Sequence, residues 1–527
     1  MSEFERYSSG SHLRKARYAK KAKKGVSSWV IFIVLIAIMS VVAWGGWRFL
    51  DGRSIIPESI VPASSSVLKI GLRTAPASLD IRTDDSDSLQ QALIENVYET
   101  LIKRDGNNAL KPGLAQSWSV SSDGLNYKFR IRSGVKFANG DVMDSGSVLQ
   151  SLQQGITKSY PGYEKLTNIT SVSNSGPDIL NISLKMPDPL LLRRLAGRAG
   201  IVYDTRASLN YASDAMGTGP FKVNGYSKGS DLVLVRNDKY WGTASGCASI
   251  TLKYFNDDTS LANAMQNGDI QMAVPLDGNE NKRMASMPNT QLVEGQSTRI
   301  RMIAYNTGIS SIFCDQHVRR ASSYAMDINT VLSADPFGGQ IVRGPISPLS
   351  PGYEDLSGTY PHDPQKARSL FSYFSAAYLG KITFLVPLGM SNIGNALGSQ
   401  LNATSGFRVT VEEVDENTMK QRIHDGKYDL ALTWMNHTLD SGAYADTKST
   451  YLFQDHESQK YFAQAMKSPN AEGYESNIKQ YARELNNYAV SDWMYARKSI
   501  VVAKSNVSGY PTNMTDQLLP LHDVSVK

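Results

Sequence analysis

The 527-residue chain lacks most of the short strings that mark common catalytic and cofactor sites. It has no H-E-x-x-H, no P-loop and no C-x-x-C. Zinc hydrolysis, nucleotide cradles and dithiol chemistry therefore leave no local trace in it. Its seven histidines are scattered. His317, His362, His424 and His456 stand among polar residues at helix starts or ends, the setting of solvated surface histidines rather than metal ligands. No metal, no cofactor and no enzymatic activity is expected. Because a catalytic triad is assembled in space, a secreted hydrolase stands as a competing reading, which activity against peptide libraries would support. Cysteine is almost missing. Cys247 and Cys314, the only two, either pair in a disulfide outside the reducing cytosol or remain two separately buried thiols.

Excess charge is also missing from most of the chain. The net charge is +6, but residues 1–26 hold eight Lys and Arg against Glu3 and Glu5, leaving 47 basic and 47 acidic residues for the rest. A neutral body excludes the basic footprint of a nucleic-acid-binding protein. The basic tail adjoins an uncharged apolar run from Gly25 to Trp47, flanked by Lys24 and Arg48. As a helix rising about 1.5 Å per residue it would span roughly 35 Å, enough to cross a bilayer core. Trp29 near one end and Trp44 and Trp47 near the other suit the two interfaces. The Lys/Arg cluster before the run keeps the N-terminus in the cytoplasm and exports the remainder. A cleaved signal peptide is the alternative. Against it, no A-x-A site follows, and no cysteine near the exit could carry a lipid. Residues 1–24 thus read as a basic cytoplasmic tail, 25–47 as a transmembrane anchor and 48–66 as an exposed Ser/Pro linker. The large domain is expected to be extracellular or periplasmic.

Beyond the linker the composition is that of a globular protein, 41% hydrophobic and 20% charged, long enough for two or three packed domains. Val67–Leu72 reads as a strand. Leu89, Leu93, Ile94, Val97 and Leu101 recur at helical spacing, predicting a helix that Asp105-Gly106 stops. Trp118–Val120 and Tyr127–Arg132 alternate apolar with polar side chains around Asp123-Gly124, a β-hairpin whose turn needs positive φ. Two later segments share a layout. Ser260–Asn267 reads as a helix closed by Gly268 and followed by a strand at Ile270–Val274. Thr418–Asp425, Gly426 and Tyr428–Trp434 repeat it. A helix closed by glycine and feeding an apolar strand is an αβ unit, so two α/β lobes, each with its own sheet, are expected. Asp315 and Asp363, the latter followed by Pro364, are helix N-caps.

Several of these stretches, taken as strings, resemble the extracellular solute-binding proteins of the peptide/nickel type, family 5, which feed ABC importers. Tyr98 and Leu101 are followed by Pro112, Leu114, Ala115, Ser117 and Trp118. Then come Asp123, Gly124, Tyr127, Phe129, Arg132 and Gly134-Val-Lys-Phe137. Further on, Met216-Gly-Thr-Gly-Pro-Phe221 resembles "G-T-G-P-Y/F", and Leu232–Asn237 with Tyr240-Trp241-Gly242 resembles "L-x-x-N-x-x-Y-W-G". Ile303–Thr307 resembles the strand carrying "F-N-T", Asp315–Asp327 resembles "D-x-x-V-R-x-A-x-x-x-A-I-D", and His362–Ala367 resembles "Y-D-P-x-K-A". The likeness runs from about Val67 to Tyr510.

The resemblance implies an α/β fold of the periplasmic-binding-protein type II, with two hinged lobes and an inserted third. Lobe I would comprise 67–104, 215–297 and 496–527, lobe II 105–214, and lobe III 298–495. It implies a monomeric, membrane-tethered receptor that captures a peptide or other small polar solute and hands it to ABC permease subunits. In peptide-binding relatives a Trp opens the segment after an apolar strand, and an Asp three residues later holds the ligand's ammonium group. Here Trp434 opens it, His437 stands at the third position and the carboxylate comes at Asp440. Asp440 is read equally as a turn-capping residue. Tyr495, from the returning C-terminal segment, and Asn306, from the F-N-T-like strand, complete the expected ligand set, with an ordinary packed tyrosine as the other reading of Tyr495. Ile81 in place of a family proline, and His437, motivate an alternative: a surface adhesin or sensor that kept the fold without transport.

Overall fold

A computed structural model of the chain describes residues 66–527, apart from 275–279, 336, 436–439, 446–448 and 517 and the side chains of 376, 377 and 440. The expected tail, anchor and nearly all of the linker, through residue 65, lie outside the described residues. Among those described, no helix is long and apolar enough to cross a membrane.

Two strands of unusual length organise the fold. Thr290–Tyr305 has 16 residues and Ser491–Lys504 has 14; at about 3.4 Å per residue each runs roughly 50 Å. They pair antiparallel in two stretches, Thr290–Gln296 with Lys498–Lys504 and Ile300–Ala304 with Ser491–Ala496, and the register breaks between Gln296 and Ile300. On one side of the break, Ser491–Lys504 pairs with Met272–Ala273. Parallel Val67–Leu72 and Ser249–Tyr254 follow, then antiparallel Asp231–Arg236 and Phe221–Ser227. On the other side, Thr290–Tyr305 pairs antiparallel with Leu430–Met435, followed by parallel Lys381–Pro387 and Arg408–Val414. The result is one ten-stranded sheet. The expectation of two separate sheets is corrected here. Polar residues from Glu294 to Arg299 interrupt the apolar pattern of the first long strand, so it reads as a short strand in sequence although its backbone pairing continues.

Period-2 alternation lets the long strand feed a core on each face. Ile300, Met302 and Ala304 pack with Leu385, Tyr444 and Trp493. Ile303 and Tyr305 pack with Phe313, Val318 and Phe384 on the opposite face. The two αβ units are present. Asp257 caps Asp258–Asn267 by accepting from Ser260 N (2.7 Å), and Gly268 ends it at φ +79°. Asp415 caps Glu416–His424 by accepting from the Asn417 and Thr418 amides (3.0 Å each), and Gly426 follows at φ +66°. Asp315 and Asp363 cap Gln316–Ala325 and Pro364–Phe371, as their sequence positions predict.

A second sheet, antiparallel, orders Ala115–Val120, Asn126–Ile131, Ile179–Leu184 and Ile169–Asn174. Its hairpin turns at Gly124, φ +71°. The helix before it is shorter than its apolar spacing predicts. Asp87–Leu93 is helical, Ile94 is already extended, and Glu95 has φ +65°. Val97, Tyr98 and Leu101 are buried all the same, in irregular backbone held by distant groups. Asn96 Nδ2 donates to the Leu519 carbonyl (2.9 Å), and its Oδ1 accepts from Leu521 N (2.9 Å). Gly217 and Gly219 pass so close to this segment that a Cβ on them would meet Val97 O at 2.1 Å and Asn96 O at 2.6 Å, which is why that crossing requires glycine.

The cysteines are not joined. Cys247 is buried in the core around Leu68 and its Sγ donates to Val524 O (3.4 Å), whereas Cys314 is exposed at the end of the turn Ile312–Cys314. They belong to different packing units, and that corrects the disulfide reading.

Candidate functional site

A cleft of about 890 Å³ opens among the described residues, within the usual range for a small-molecule site. Leu72–Thr74, Ser86–Ser88 and Val274 form one wall. Pro387, Leu388, Val414–Glu416 and Met419 form the other, and the two long strands contribute Arg299, Arg301 and Arg497. Those arginines stand at the register break described above.

Trp434 lines the cleft beside them. Its position follows from the ladder. Arg301 lies opposite Trp434 on one neighbouring strand and opposite Tyr495 on the other, and cross-strand partners present their side chains on one face. The Arg301 guanidinium lies 3.6 Å from the Trp434 ring centroid, with those of Arg299 and Arg497 at 5.2 and 5.7 Å. Tyr495 packs edge-on against the same ring at 6.3 Å.

Arg301 is 1% exposed and Asp335 is fully buried. Arg301 Nη2 donates to Asp335 Oδ2 at 3.3 Å and meets Met390 Sδ at 3.3 Å. The Tyr495 hydroxyl donates to the same carboxylate oxygen in a short bond. Burial pushes the Tyr495 phenol well above its usual pKa; Arg301 opposes that shift and Asp335 adds to it. Arg301 Nε and Nη1 find no acceptor among the described groups. Two other cations of the lining are matched locally. Arg73 pairs with Asp258, and Lys420 Nζ lies 2.8 Å from Glu416. Asp415 is held below the ordinary carboxylate range by the Thr418 hydroxyl and amide it accepts from.

Of the residues expected to bind ligand, Trp434 is on the cleft. Tyr495 is fully buried and supports Trp434 from behind rather than lining the space. Asn306 is committed elsewhere: its Nδ2 donates to the Gly426 and Tyr428 carbonyls (3.0 and 2.8 Å), and its Oδ1 accepts from Gly308 N (3.0 Å). His437 lies outside the described residues. Asp440 opens the short turn Asp440–Tyr444, its side chain outside the description. The structure therefore brings Trp434 and Tyr495 together with Arg301, and not with Asn306. The three arginines were missed. For Arg299 and Arg301 the sequence signal is Thr298-Arg-Ile-Arg-Met302, two charges at alternate positions entering a buried strand. Among the described residues no cluster of three or more His, Cys, Asp or Glu is placed to hold a metal ion.

The model of the bacterial extracellular solute-binding proteins, family 5 middle, matches residues 109–453. The glutathione-binding protein GsiB of Salmonella paratyphi A is 28% identical over 295 residues, 54% of this chain and 57% of that protein. The match thus spans little more than half that relative's length. The probable D,D-dipeptide-binding periplasmic protein DdpA of Escherichia coli is 22% identical over 504 residues, 89% of this chain and 96% of that protein. Among solved structures, the ABC transporter substrate-binding protein CtaP of Listeria monocytogenes aligns with a TM-score of 0.79 at 15% identity. That alignment covers 88% of this chain and 99% of CtaP, a likeness of fold.

Proposed function

The chain belongs to the bacterial extracellular solute-binding proteins of family 5, and from that membership we propose that it captures a peptide or similar small solute and delivers it to an ABC importer. The observation that carries this reading is the cleft of about 890 Å³ at the register break of the two long strands. A solute there touches both halves of the sheet, so binding favours the arrangement that closes on it. The proposed lobe boundaries at 297/298 and 495/496 fall beside that break, which supports a hinge there. Residues 25–47 tether the protein to the membrane with the binding region outside. The GsiB and DdpA relatives, named for glutathione and D,D-dipeptides, support a peptide-like solute.

The test is native mass spectrometry of the full chain purified from its own host, followed by titration calorimetry and small-angle scattering with the solute so found. The expected result is a stoichiometric small solute and a smaller radius of gyration at saturation. An unchanged radius under saturation removes the closure model. A solute with a free amino terminus needs an anion near it, and Asp440, in the turn after the Trp434 strand, is the residue we assign. His437 serves poorly there, because an ordinary histidine pKa near 6.5 leaves most of it neutral. Asp440→Asn should weaken binding by about 2–5 kcal/mol, the cost of leaving a buried charge unpaired, with folding little affected. Equal affinities would return Asp440 to its turn-capping role.

A further inference from the structure

We propose that the chain carries a second binding site, outside the cleft, for a compact oxyanion: a phosphate or carboxylate group received by Arg193 and Arg198. The two arginines line a pocket of about 340 Å³, at the lower end of the range for small-molecule sites. Helix Leu191–Arg194 and the turn Arg198–Gly200 form it together with Gln90, Ile94, Arg104 and Asp516. None of these residues lines the cleft, so the site stands or falls apart from solute capture.

Four arginines reach this pocket, and they divide by partner. Arg104 Nη1 lies 2.6 Å from Asp516 Oδ2, and Arg194 is paired with the buried Asp188. Arg193 and Arg198 have no carboxylate within ion-pair distance among the described residues. Arg193 Nη1 donates to the Asn108 carbonyl (3.0 Å), and Arg198 Nη2 donates to the Ile81 and Asp84 carbonyls. Neutral carbonyls satisfy donors without cancelling the charge. Arg198 Nε and Nη1 are buried and find no acceptor among the described groups, an unfavourable state for donors of a charged group. A third guanidinium adds repulsion. A Cβ on Gly197, between the two arginines in sequence, would meet Arg104 Nη2 at 3.9 Å. Burial lowers the pKa of both arginines, and Arg104 lowers that of Arg193 further.

The acids of the lining do not complete the site. Asp516 is taken by Arg104. Asp85 and Glu164 are exposed and favour the Arg198 charge only from beyond ion-pair distance; Lys165, beside Glu164, is exposed as well. An oxyanion in the pocket supplies acceptors and opposite charge together. Guanidinium–oxyanion bonds are among the stronger charge-assisted hydrogen bonds.

The test is titration calorimetry of the full chain, at constant ionic strength, with inorganic phosphate, glycerol phosphate, succinate and sodium chloride. At least one oxyanion is expected to bind once per chain and at least tenfold more tightly than chloride. Preference for the two phosphates assigns a phosphoryl group to the pocket, and preference for succinate assigns a carboxylate. Arg198→Gln should weaken that binding at least tenfold. Arg193→Gln, which keeps the contacts of Arg198 to Ile81 and Asp84, should weaken it as much and decides the matter should the first variant fold poorly. Oxyanion binding that is absent, or no tighter than that of chloride, overturns the site. Binding that the folded variants leave undiminished places the anion elsewhere and overturns it equally.

Discussion

Two buried charged clusters, around Glu99 and around Arg301, are built from similar parts and are completed to different degrees. Glu99 is fully buried. Its Oε1 accepts from Lys103 Nζ (2.9 Å) and the Tyr240 hydroxyl (3.3 Å), its Oε2 from Thr218 Oγ1 (2.9 Å) and Trp241 Nε1 (2.7 Å). One carboxylate thereby ties together the Tyr98–Leu101, Gly217–Phe221 and Tyr240–Gly242 stretches. Burial opposes the charge on Lys103, and Glu95 and Glu99 overcome it, raising its pKa. Arg301 has one carboxylate partner, two nitrogens without acceptors, and a place on a cleft. A buried charge whose bonds are all made inside the chain holds the fold together. A half-matched one beside a cleft is suited to a partner from outside.

The contrast can be broken most severely at Glu99. Glu99→Ala would leave the Trp241 indole, the Thr218 hydroxyl and part of the Lys103 charge buried without acceptors. It should cost about 3–5 kcal/mol of stability, read by denaturant unfolding. The solute affinity of the folded fraction should stay unchanged, and a selective affinity loss would place Glu99 in the binding machinery instead.

At the other cluster the expected order is reversed. Tyr495→Phe removes the hydroxyl that donates to Asp335 and should cost about 1 kcal/mol of stability. Asp335 is then free to draw Arg301 away from Trp434, so affinity for the solute recovered from the host should fall severalfold. Thermal melts and calorimetry on the same preparation separate the two effects. A stability loss with undiminished solute affinity would show that Tyr495 merely packs behind Trp434.

The smallest effect is a pH dependence at the edge of the Glu99 cluster. The His522 ring lies 5.5 Å from that of Tyr240. Its Nδ1 lies 2.7 Å from Asp523 Oδ1 and its Nε2 lies 2.7 Å from Thr243 O. The Asp523 carboxylate raises its pKa above 6.5, against burial, which lowers it. A histidine whose folded pKa exceeds its unfolded value stabilises the fold fully below the unfolded value, and that stability is lost as pH rises through the folded value. The Asp523 side chain is 83% exposed, so solvent screening holds the contribution under about 1 kcal/mol. His522→Asn should flatten the melting-temperature difference between about pH 5.5 and about pH 8.5. An unaltered difference would assign the pH dependence to another group.

What the chain spells out locally is what survives in the structure. Asp315, Asp363 and Asp415 cap helices because a short carboxylate reaches an amide two or three residues on. Gly124, Gly268 and Gly426 sit where φ must be positive. The hairpin from Trp118 to Ile131 needs only its own alternation and turn, and each of these decisions is made within a few residues. The end of the first helix was not legible. Val97, Tyr98 and Leu101 keep helical spacing, yet Leu519 and Leu521, more than 400 residues away, bind Asn96 and draw the backbone out of the helix.

The same distance hides the site. Trp434 was recognisable from its neighbours in sequence, but what surrounds it was not. Arg301 and Tyr495 become its companions only when strands 290–305, 430–435 and 491–504 pair. A charge inside a strand pattern reads as solvent-facing until the partner strands are known. The single sheet and the two free cysteines follow the same rule. Capping, turn and alternation energies act between near neighbours, so they are written in the string. Strand pairing, core membership and the gathering of like charges around one ring act between residues tens to hundreds apart in the chain, and only the folded arrangement decides them.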